Sequence, residues 1–377
     1  PYSSISGMRV SKFVKYLPAQ GWKPWVLTVD PRYYGERGLT KDPRLVTDLA
    51  TTRIIHAPYF RFPGHVLTMK LLHPLIALGF AWKHRRRLDA VYLCGSPFHP
   101  FLLTVILTGL LRIPTVLDFR DSWSINHGYD GQRPNSLLAR LRETVLGLIE
   151  RVSIRFASSV TFATTRLQEE YTALFPASRH KYHTIHNGFD PDDFVRIKPR
   201  RSSPGQTVVL SGQFHVYTPD AVDSLMTCLR NDPDIHFVYV GGEQSIIAES
   251  ARRAGVTEQV TARPYMPYRE VLSLTAGADV GLVTTGLVNG LGTKIFDYLA
   301  LGKPTVCLVP SGSVIASEFG TVPTVVISHP PHTPERIAAA LETAFGMVGT
   351  PCRADIGRYS RRESTRQLAR LLDDIAT

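Results

Sequence analysis

The residues best placed to do chemistry lie between Asn289 and Pro310, in NGLGTKIFDYLALGKPTVCLVP. Asn289-Gly290-Leu291-Gly292-Thr293 is a small-residue loop whose backbone N–H groups can come close to a ligand. A helix pattern, TKIFDYLAL, starts at once, so its free N–H groups and positive dipole end face that loop and suit an anion. Lys294 puts a cation in the first turn, where the dipole disfavours it, and this points to an anion nearby. Asp297 falls on the same helix face. Gly302 and Pro304 end the helix, and TVCLVP is a short apolar run suited to a parallel strand buried on both faces. An ordinary helix-to-strand crossover reads the same way.

Other polar groups gather at the ends of apolar runs. LCGSPFHPFLL sets Ser96, Pro97 and His99 between a strand and a helix near 98–111, where open α/β sheets bind ligands. His99 can donate to a sugar hydroxyl or handle a proton there, or simply bond to backbone at a helix start. VLDFRDSW ends a strand with Asp118, Arg120, Asp121 and Trp123. Four polar or amphipathic groups at one strand end are more than solubility requires, and Trp123 offers an apolar face; an Asp–Arg pair capping the sheet edge is the alternative. Asn187-Gly188 reads as a structural turn. Asp190, Asp192 and Asp193 look like a metal cluster, but their Pro-containing setting favours solvated turn charges. Ser211, Gly212 and Gln213 follow a strand and can approach phosphates, and Arg263, Tyr265 and Met266 sit in a loop.

The elements that must hold these groups alternate along the chain. WVLTVD, TTRIIHAP, DAVYLCG, PTVLDFRD, SSVTFAT and KYHTIHNG are strand-like, with helical segments between them. Residues 189–206, rich in Pro, Asp, Arg and Ser, read as a linker. TVVLSGQF, IHFVYVGG, QVTARPY, ADVGLVTT, PTVCLVP and TVVIS form a second series, and an amphipathic tail begins near Tyr359. This is the pattern of parallel sheets with helices on both faces. At the start, Ser3, Ser4, Ser6 and Gly7 form a small-residue loop before a helix, the layout of a first Rossmann turn. No apolar strand stands ahead of it, so the first strand of that domain is expected to be missing from the chain.

Length and composition bound the reading. With 377 residues and 44% hydrophobic content, two ordinary domains are expected. No apolar run is long enough to cross a bilayer, and no signal peptide opens the chain. Cys94, Cys228, Cys307 and Cys352 are scattered, which suits a reducing cytoplasm better than a zinc site or disulfide framework. Residues 1–190 carry 25 Lys and Arg against 13 Asp and Glu, a net +12, while residues 191–377 carry 18 against 19, a net −1. The basic half suits nucleic acid, an anionic membrane or an anionic substrate. No nucleic-acid motif accompanies it. Residues 60–87 join Phe60, Phe62, Phe80 and Trp82 to Lys83-His84-Arg85-Arg86-Arg87, a mix suited to an anionic membrane surface or to a core helix with a basic end.

KIFDYLALGKP resembles the signature of retaining glycosyltransferases of the GT-B fold, family 4, in the bacterial surface-polysaccharide branch. The resemblance implies two Rossmann-like parallel-sheet domains facing across a cleft: an acceptor-side domain at 1–188, a nucleotide-sugar domain at 189–358, and a last helix, 359–377, crossing back to the first. It implies transfer of a sugar from a nucleoside diphosphate sugar to a saccharide or lipid-linked acceptor with retention. No metal or other cofactor is expected, and the location is cytoplasmic, peripheral to the inner face of the membrane. The family pattern has two Glu residues; Asn289 and Asp297 stand at those positions. Asp297 would bind the ribose, and Asn289 and His99 the sugar. The resemblance gives Gly7, Gly212, Arg263 and Tyr265 to the ligand-binding turns, Tyr265 near the base, and Asp121 to the acceptor side. Relatives hold the diphosphate with an Arg and a Lys after the Gly212 turn. Here Gln213, His215 and Tyr217 follow instead, so the clamp falls to Lys294, the Gly292 and Thr293 amides, or Arg263.

Two other readings share the fold. A sugar-nucleotide epimerase needs acid and base side chains, of which His99 and Asp121 are the main candidates. A non-catalytic nucleotide-sugar-binding partner is suggested by Asn289 and the absent Arg/Lys pair. A dinucleotide-dependent dehydrogenase is disfavoured, because no Gly-x-Gly-x-x-Gly follows a strand.

Overall fold

The structure, a computed structural model, describes residues 5–35, 43–59, 72–95, 97–124, 136–350 and 355–376. The chain divides into two compact units, Pro1–Asn187 with Arg361–Thr377, and Gly188–Ser360.

In the first unit, β1 (Trp25–Val29) and β2 (Arg53–Ala57) pair in parallel. A separate parallel sheet runs β3 (Val91–Cys94), β4 (Thr115–Phe119), β5 (Ser159–Phe162) and β6 (Tyr182–Thr184), in that order. Every residue of β4 and β5 is buried, as expected of apolar strands covered on both faces. Phe119 centres one core, with the Phe101 ring edge-on at 4.9 Å and the Phe162 ring stacked at 5.6 Å. The Arg361–Ala376 helix packs Leu368, Leu371 and Leu372 against Phe13, Leu17 and Val116.

The helix expected near 98–111 is shorter and tighter. His99–Leu103 is a 3-10 turn, followed by one α-turn at Thr104–Leu107. The Thr104 hydroxyl bonds Phe101 O at 2.8 Å and Ser153 O at 3.1 Å, side-chain interactions with backbone carbonyls that compete with a regular helix.

The second unit holds one six-stranded parallel sheet: β7 (Gln206–Ser211), β8 (Ile235–Val240), β9 (Val260–Arg263), β10 (Val280–Thr284), β11 (Thr305–Leu308) and β12 (Val325–Ser328). Their spatial order is β9-β8-β7-β10-β11-β12, a doubly wound sheet. Alternate strand residues feed two cores on opposite faces: Val208, Leu210, Phe237 and Tyr239 on one, and Val209, Val238, Val240 and Val283 on the other. The chain reverses its winding between β7 and β10, so a crevice opens at the carboxyl ends of those two strands.

Candidate functional site

The loops after β7 and β10 meet at this switch point. The Thr284 hydroxyl donates to Gln213 O at 3.1 Å, and Gly286 lies under the carbonyl of Tyr217, where a Cβ would stand 2.7 Å from the oxygen. The Lys294–Ala300 helix follows, capped at its far end by Gly302 at φ 66°, with Lys303 N–H bonded to Tyr298 O at 2.9 Å. That left-handed cap is the one the Leu-Gly-Lys-Pro turn calls for.

Lys294 opens the helix. Its Nζ stands 3.4 Å from Asp297 Oδ2 and 4.9 Å from the centre of the Tyr268 ring. Asp297 Oδ1 accepts the Tyr268 hydroxyl at 2.6 Å. The anion answering the misplaced cation is therefore, in the first place, Asp297 itself. Both oxygens are engaged, yet a carboxylate has roughly four lone-pair directions and an ammonium three N–H bonds, so each keeps capacity for a ligand. Asp297 is buried, while Lys294, Thr293 and Gly292 are half-buried and Asn289 is exposed. The helix has seven residues and a correspondingly small aligned dipole, so charge for an anion comes mainly from Lys294.

The Gly212 turn is differently committed. The N–H groups of Phe214, His215 and Val216 converge on the Glu243 carboxylate at 2.6, 3.0 and 2.9 Å. Successive amides of this kind form an anion nest. Here the protein's own carboxylate fills it. Tyr239 completes the lock by donating to Gly212 O at 2.7 Å and accepting the Glu243 N–H at 3.1 Å. Burial, reinforced by the Glu243 charge, pushes the Tyr239 phenol up to about 12, which keeps it a donor. Gly212 thus shapes the crevice, while the amides after it are already satisfied. Sequence reading missed Glu243; its position just after a Gly-Gly strand end was the available signal.

Arg263 ends β9 with its Nε covered and, among the described residues, without a hydrogen-bond partner. Tyr265 is exposed, its ring beside Gly242. A cavity of about 400 Å³ beside the Glu243 turn is lined by His215, Asp220, Asp223, Glu249 and Arg253 and includes none of residues 289–297. Its lining offers polar groups of both signs but not the Lys294–Asp297–Tyr268 group, which lies at the switch point of the sheet where open α/β folds bind ligands.

In the first unit the strand-end motifs separate into fasteners and open groups. Asp118 is fully buried and takes a bidentate pair from Arg9, Nε to Oδ2 and Nη2 to Oδ1, both at 3.0 Å. Arg9 also donates to Ile185 O at 2.8 Å, His186 O at 3.1 Å and Asn187 Oδ1 at 3.3 Å. Burial alone would lower the Arg9 pKa, but the Asp118 charge outweighs it and the net direction is up. Burial alone would raise Asp118, and Arg9 with its hydrogen bonds reverses that to a net lowering. Asn187 Oδ1 also accepts from Arg361 Nη1 at 3.2 Å, so it ties the first helix to the last. Gly188 has Tyr359 O only 1.6 Å from where a Cβ would lie, a place only glycine can occupy.

Arg120 turns its Nε to Gly95 O. Trp123 is stacked on Phe98 at 5.5 Å and 14°, so one indole face is already covered. Asp121 is exposed and His99 half-buried. Near His99, His73 is held below the ordinary imidazole range, by burial first and by the His99 charge second. Gly7 lies inside the first turn of the Ile5–Tyr16 helix, where an open loop was expected; Ser3, Ser4 and Ser96 fall outside the described residues. Asp190 is buried, not a solvated turn charge: it caps the Pro191–Phe194 turn by accepting Asp192 N–H at 3.0 Å.

Known proteins share this architecture. Residues 6–188 match the family model described as a glycosyl transferase 4-like domain. No curated protein matches the sequence significantly. Among solved structures, Anabaena HepE, crystallised with UDP and glucose, superposes with a TM-score of 0.65 at 15% identity, covering 98% of this chain and 96% of that one. Sucrose-phosphate synthase from Thermosynechococcus elongatus gives 0.62 at 14%, covering 98% and 90%. WaaG, described as a glycosyltransferase involved in lipopolysaccharide biosynthesis, gives 0.59 at 14%, covering 98% and 94%. At these identities the likeness is one of fold. The chain has the α/β fold of the GT-B glycosyltransferases, and residues 6–188 match the glycosyl transferase 4-like domain.

Proposed function

We propose that this protein is a retaining glycosyltransferase. It moves a sugar from a nucleoside diphosphate donor to a saccharide or lipid-linked acceptor, in bacterial polysaccharide or glycoconjugate synthesis at the cytoplasmic side of the membrane. The observation that carries the reading is the Lys294–Asp297–Tyr268 group at the switch point of a doubly wound sheet, in a chain whose first unit matches a glycosyl transferase 4-like domain. The likeness of fold to HepE, which was crystallised with UDP and glucose, and to the glycosyltransferase WaaG supports the reading.

In this reading the acceptor hydroxyl oxygen bonds to the anomeric carbon on the face that the leaving diphosphate occupies. The bond from that carbon to the phosphate oxygen breaks, and the hydroxyl proton passes to the departing diphosphate. The protein's work is positioning and charge stabilisation. Lys294 and the Gly292 and Thr293 amides take the diphosphate, with Arg263 a second cation for it. Asp297 holds the ribose with its remaining lone pairs, Tyr265 lies near the base, and Asn289 orients the sugar. His99 serves the sugar and Asp121 the acceptor from the first unit. Glu243 enters as a support, because it fixes the Gly212 turn without using the ligand. No step calls for a metal ion.

The test is product analysis with purified protein and a panel of nucleotide sugars, with and without acceptor. Transfer to the acceptor with the anomeric configuration kept is the expected result. A change in the sugar of the free donor would point to an epimerase. Binding with neither transfer nor hydrolysis would leave a non-catalytic partner.

A further inference from the structure

Two helices fasten the turn that follows β4. Glu150, on the Leu137–Phe156 helix, is fully buried, and one carboxylate oxygen accepts both the Ser124 N–H, at 3.2 Å, and the Ser124 hydroxyl. Its other oxygen accepts the Tyr171 hydroxyl. Tyr171, on the Thr165–Leu174 helix, is equally buried, with its ring 4.8 Å from that of Phe119 and 5.0 Å from that of Phe162. The same phenol oxygen accepts the Trp123 N–H at 3.1 Å. One carboxylate and one phenol therefore take up two successive backbone amides of the turn and the Ser124 hydroxyl.

The turn passes this order on to its neighbour. The Trp123 ring stacks on Phe98 at 5.5 Å and lies edge-on to Phe101 at 6.0 Å, and Phe98 stacks in turn on Phe119 at 5.8 Å. Gly95 makes room for this, since a Cβ there would stand 2.3 Å from the Phe98 ring. Arg120 Nε donates to Gly95 O. Asp121 is thus bracketed by two anchored residues, Arg120 and Trp123, and His99 follows directly on the stacked Phe98. Asp121 itself is exposed.

A buried carboxylate is a costly fastener. Burial pushes the Glu150 carboxyl up, hydrogen bonds from Ser124 and Tyr171 offset this only in part, and among the described residues no cation acts on it. Asp118, by contrast, has Arg9. An apolar side chain would fill the same space at lower cost. Burial first, and the Glu150 charge second, push the Tyr171 phenol well above its ordinary range, so it stays a donor. What the network supplies in return is direction, because satisfied buried hydrogen bonds specify one backbone arrangement where apolar packing tolerates several.

We infer that Glu150 and Tyr171 are positioning residues, which hold the Arg120–Ser124 turn and so set Asp121 toward the acceptor and His99 toward the sugar. What Asp121 and His99 meet rests on the transferase reading; the fastening of the turn does not. Neither Glu150 nor Tyr171 touches a substrate, since both act through Trp123 and Ser124.

The experiment compares Glu150→Gln, Tyr171→Phe and the double variant with wild type in two measurements. The first is Trp123 fluorescence, taken as the difference between each protein with and without Trp123→Phe, which removes Trp22, Trp25 and Trp82 from the signal. Trp25 packs on Phe80 and Trp82 lies under Arg85, outside the network, while Phe60 and Phe62 lie outside the described residues. Both single variants should shift the Trp123 emission to the red and expose it to acrylamide. The second measurement is transfer to soluble oligosaccharides and to a polyprenyl diphosphate-linked saccharide, alongside calorimetry with UDP. Each single variant should lower kcat/KM for the acceptor about tenfold, the scale of one lost hydrogen bond, with UDP affinity unchanged. The double variant should lose little more than either single one, because both act through one network.

An unshifted Trp123 signal in both variants would overturn the inference. So would an unchanged kcat/KM for the acceptor, or an equal loss of UDP affinity. If wild type transfers no sugar, the transferase reading falls, and the Trp123 signal, which needs no substrate, still decides whether the two residues hold the turn. If Glu150→Gln melts below wild type, Tyr171→Phe, which keeps the ring in its core, decides.

Discussion

The molecule contains two Asp–cation pairs of similar composition and opposite character. Arg9–Asp118 in the first unit is sealed, with both side chains essentially inaccessible and the guanidinium donating to one carboxylate, two carbonyls and an amide oxygen. Lys294–Asp297 in the second unit is longer, at 3.4 Å, with the lysine side chain 30% exposed. A guanidinium presents a rigid fork that can be satisfied in all directions, whereas an ammonium on a flexible stem keeps donors to spare. The first pair is a fastener joining the first helix, the β4 and β6 ends and, through Asn187, the last helix. The second is open to a ligand. Residue type alone does not separate structure from site; burial and unused hydrogen-bonding capacity do.

Breaking the sealed pair should have the largest effect. Arg9→Ala leaves Asp118 charged and buried without a partner, and should cost about 3–5 kcal/mol in chemical unfolding. A loss below 1 kcal/mol, on the scale of surface pairs, would remove the contrast. The same pair sets an acid dependence. The folded pKa of Asp118 lies below its unfolded value, so its stabilisation is complete above roughly pH 4, the usual Asp range, and is lost as pH falls through the folded value. Asp118→Asn should lose stability at neutral pH and show a shallower decline on acidification. Equal slopes for variant and wild type would contradict this.

Glu243→Ala comes next. It leaves three loop amides without their acceptor and should lower stability by about 2–3 kcal/mol, read from the denaturant midpoint. An unchanged midpoint would mean that solvent satisfies the nest. The smallest effect on nucleotide affinity belongs to His99→Ala, which should slow transfer about tenfold, the scale of one lost hydrogen bond, with nucleoside diphosphate affinity nearly constant. Matching losses in both would move His99 to the nucleotide.

Much of the fold could be read from the chain because local pattern determines it. Runs such as PTVLDF and ADVGLVTT are mostly apolar and supply strands buried on both faces. Strand order could not be read, since it rests on pairings between distant segments. The β7–β10 neighbourhood that creates the switch point joins residues some seventy positions apart. The 289–302 motif was visible for a local reason: loop, cation, acid and terminating glycine lie within fourteen consecutive residues. Arg9 was not visible as the partner of Asp118, 109 positions away. A signal existed in both places, an acid inside a fully buried strand and an arginine within the apolar pattern of MRVSKFV, because a buried charge requires a partner. Tyr268 went unread beside Tyr265, since only the fold shows which tyrosine of ARPYMPYREV reaches Asp297.

The central claim is that the open pair at the switch point receives the diphosphate. Titration calorimetry of nucleoside diphosphates into wild type and Lys294→Ala tests it directly. The variant should keep the wild-type melting temperature and lose about 1.5–3 kcal/mol of binding free energy, the scale of a charge-assisted hydrogen bond. Equal affinity of the two proteins for the same nucleotide would contradict the account.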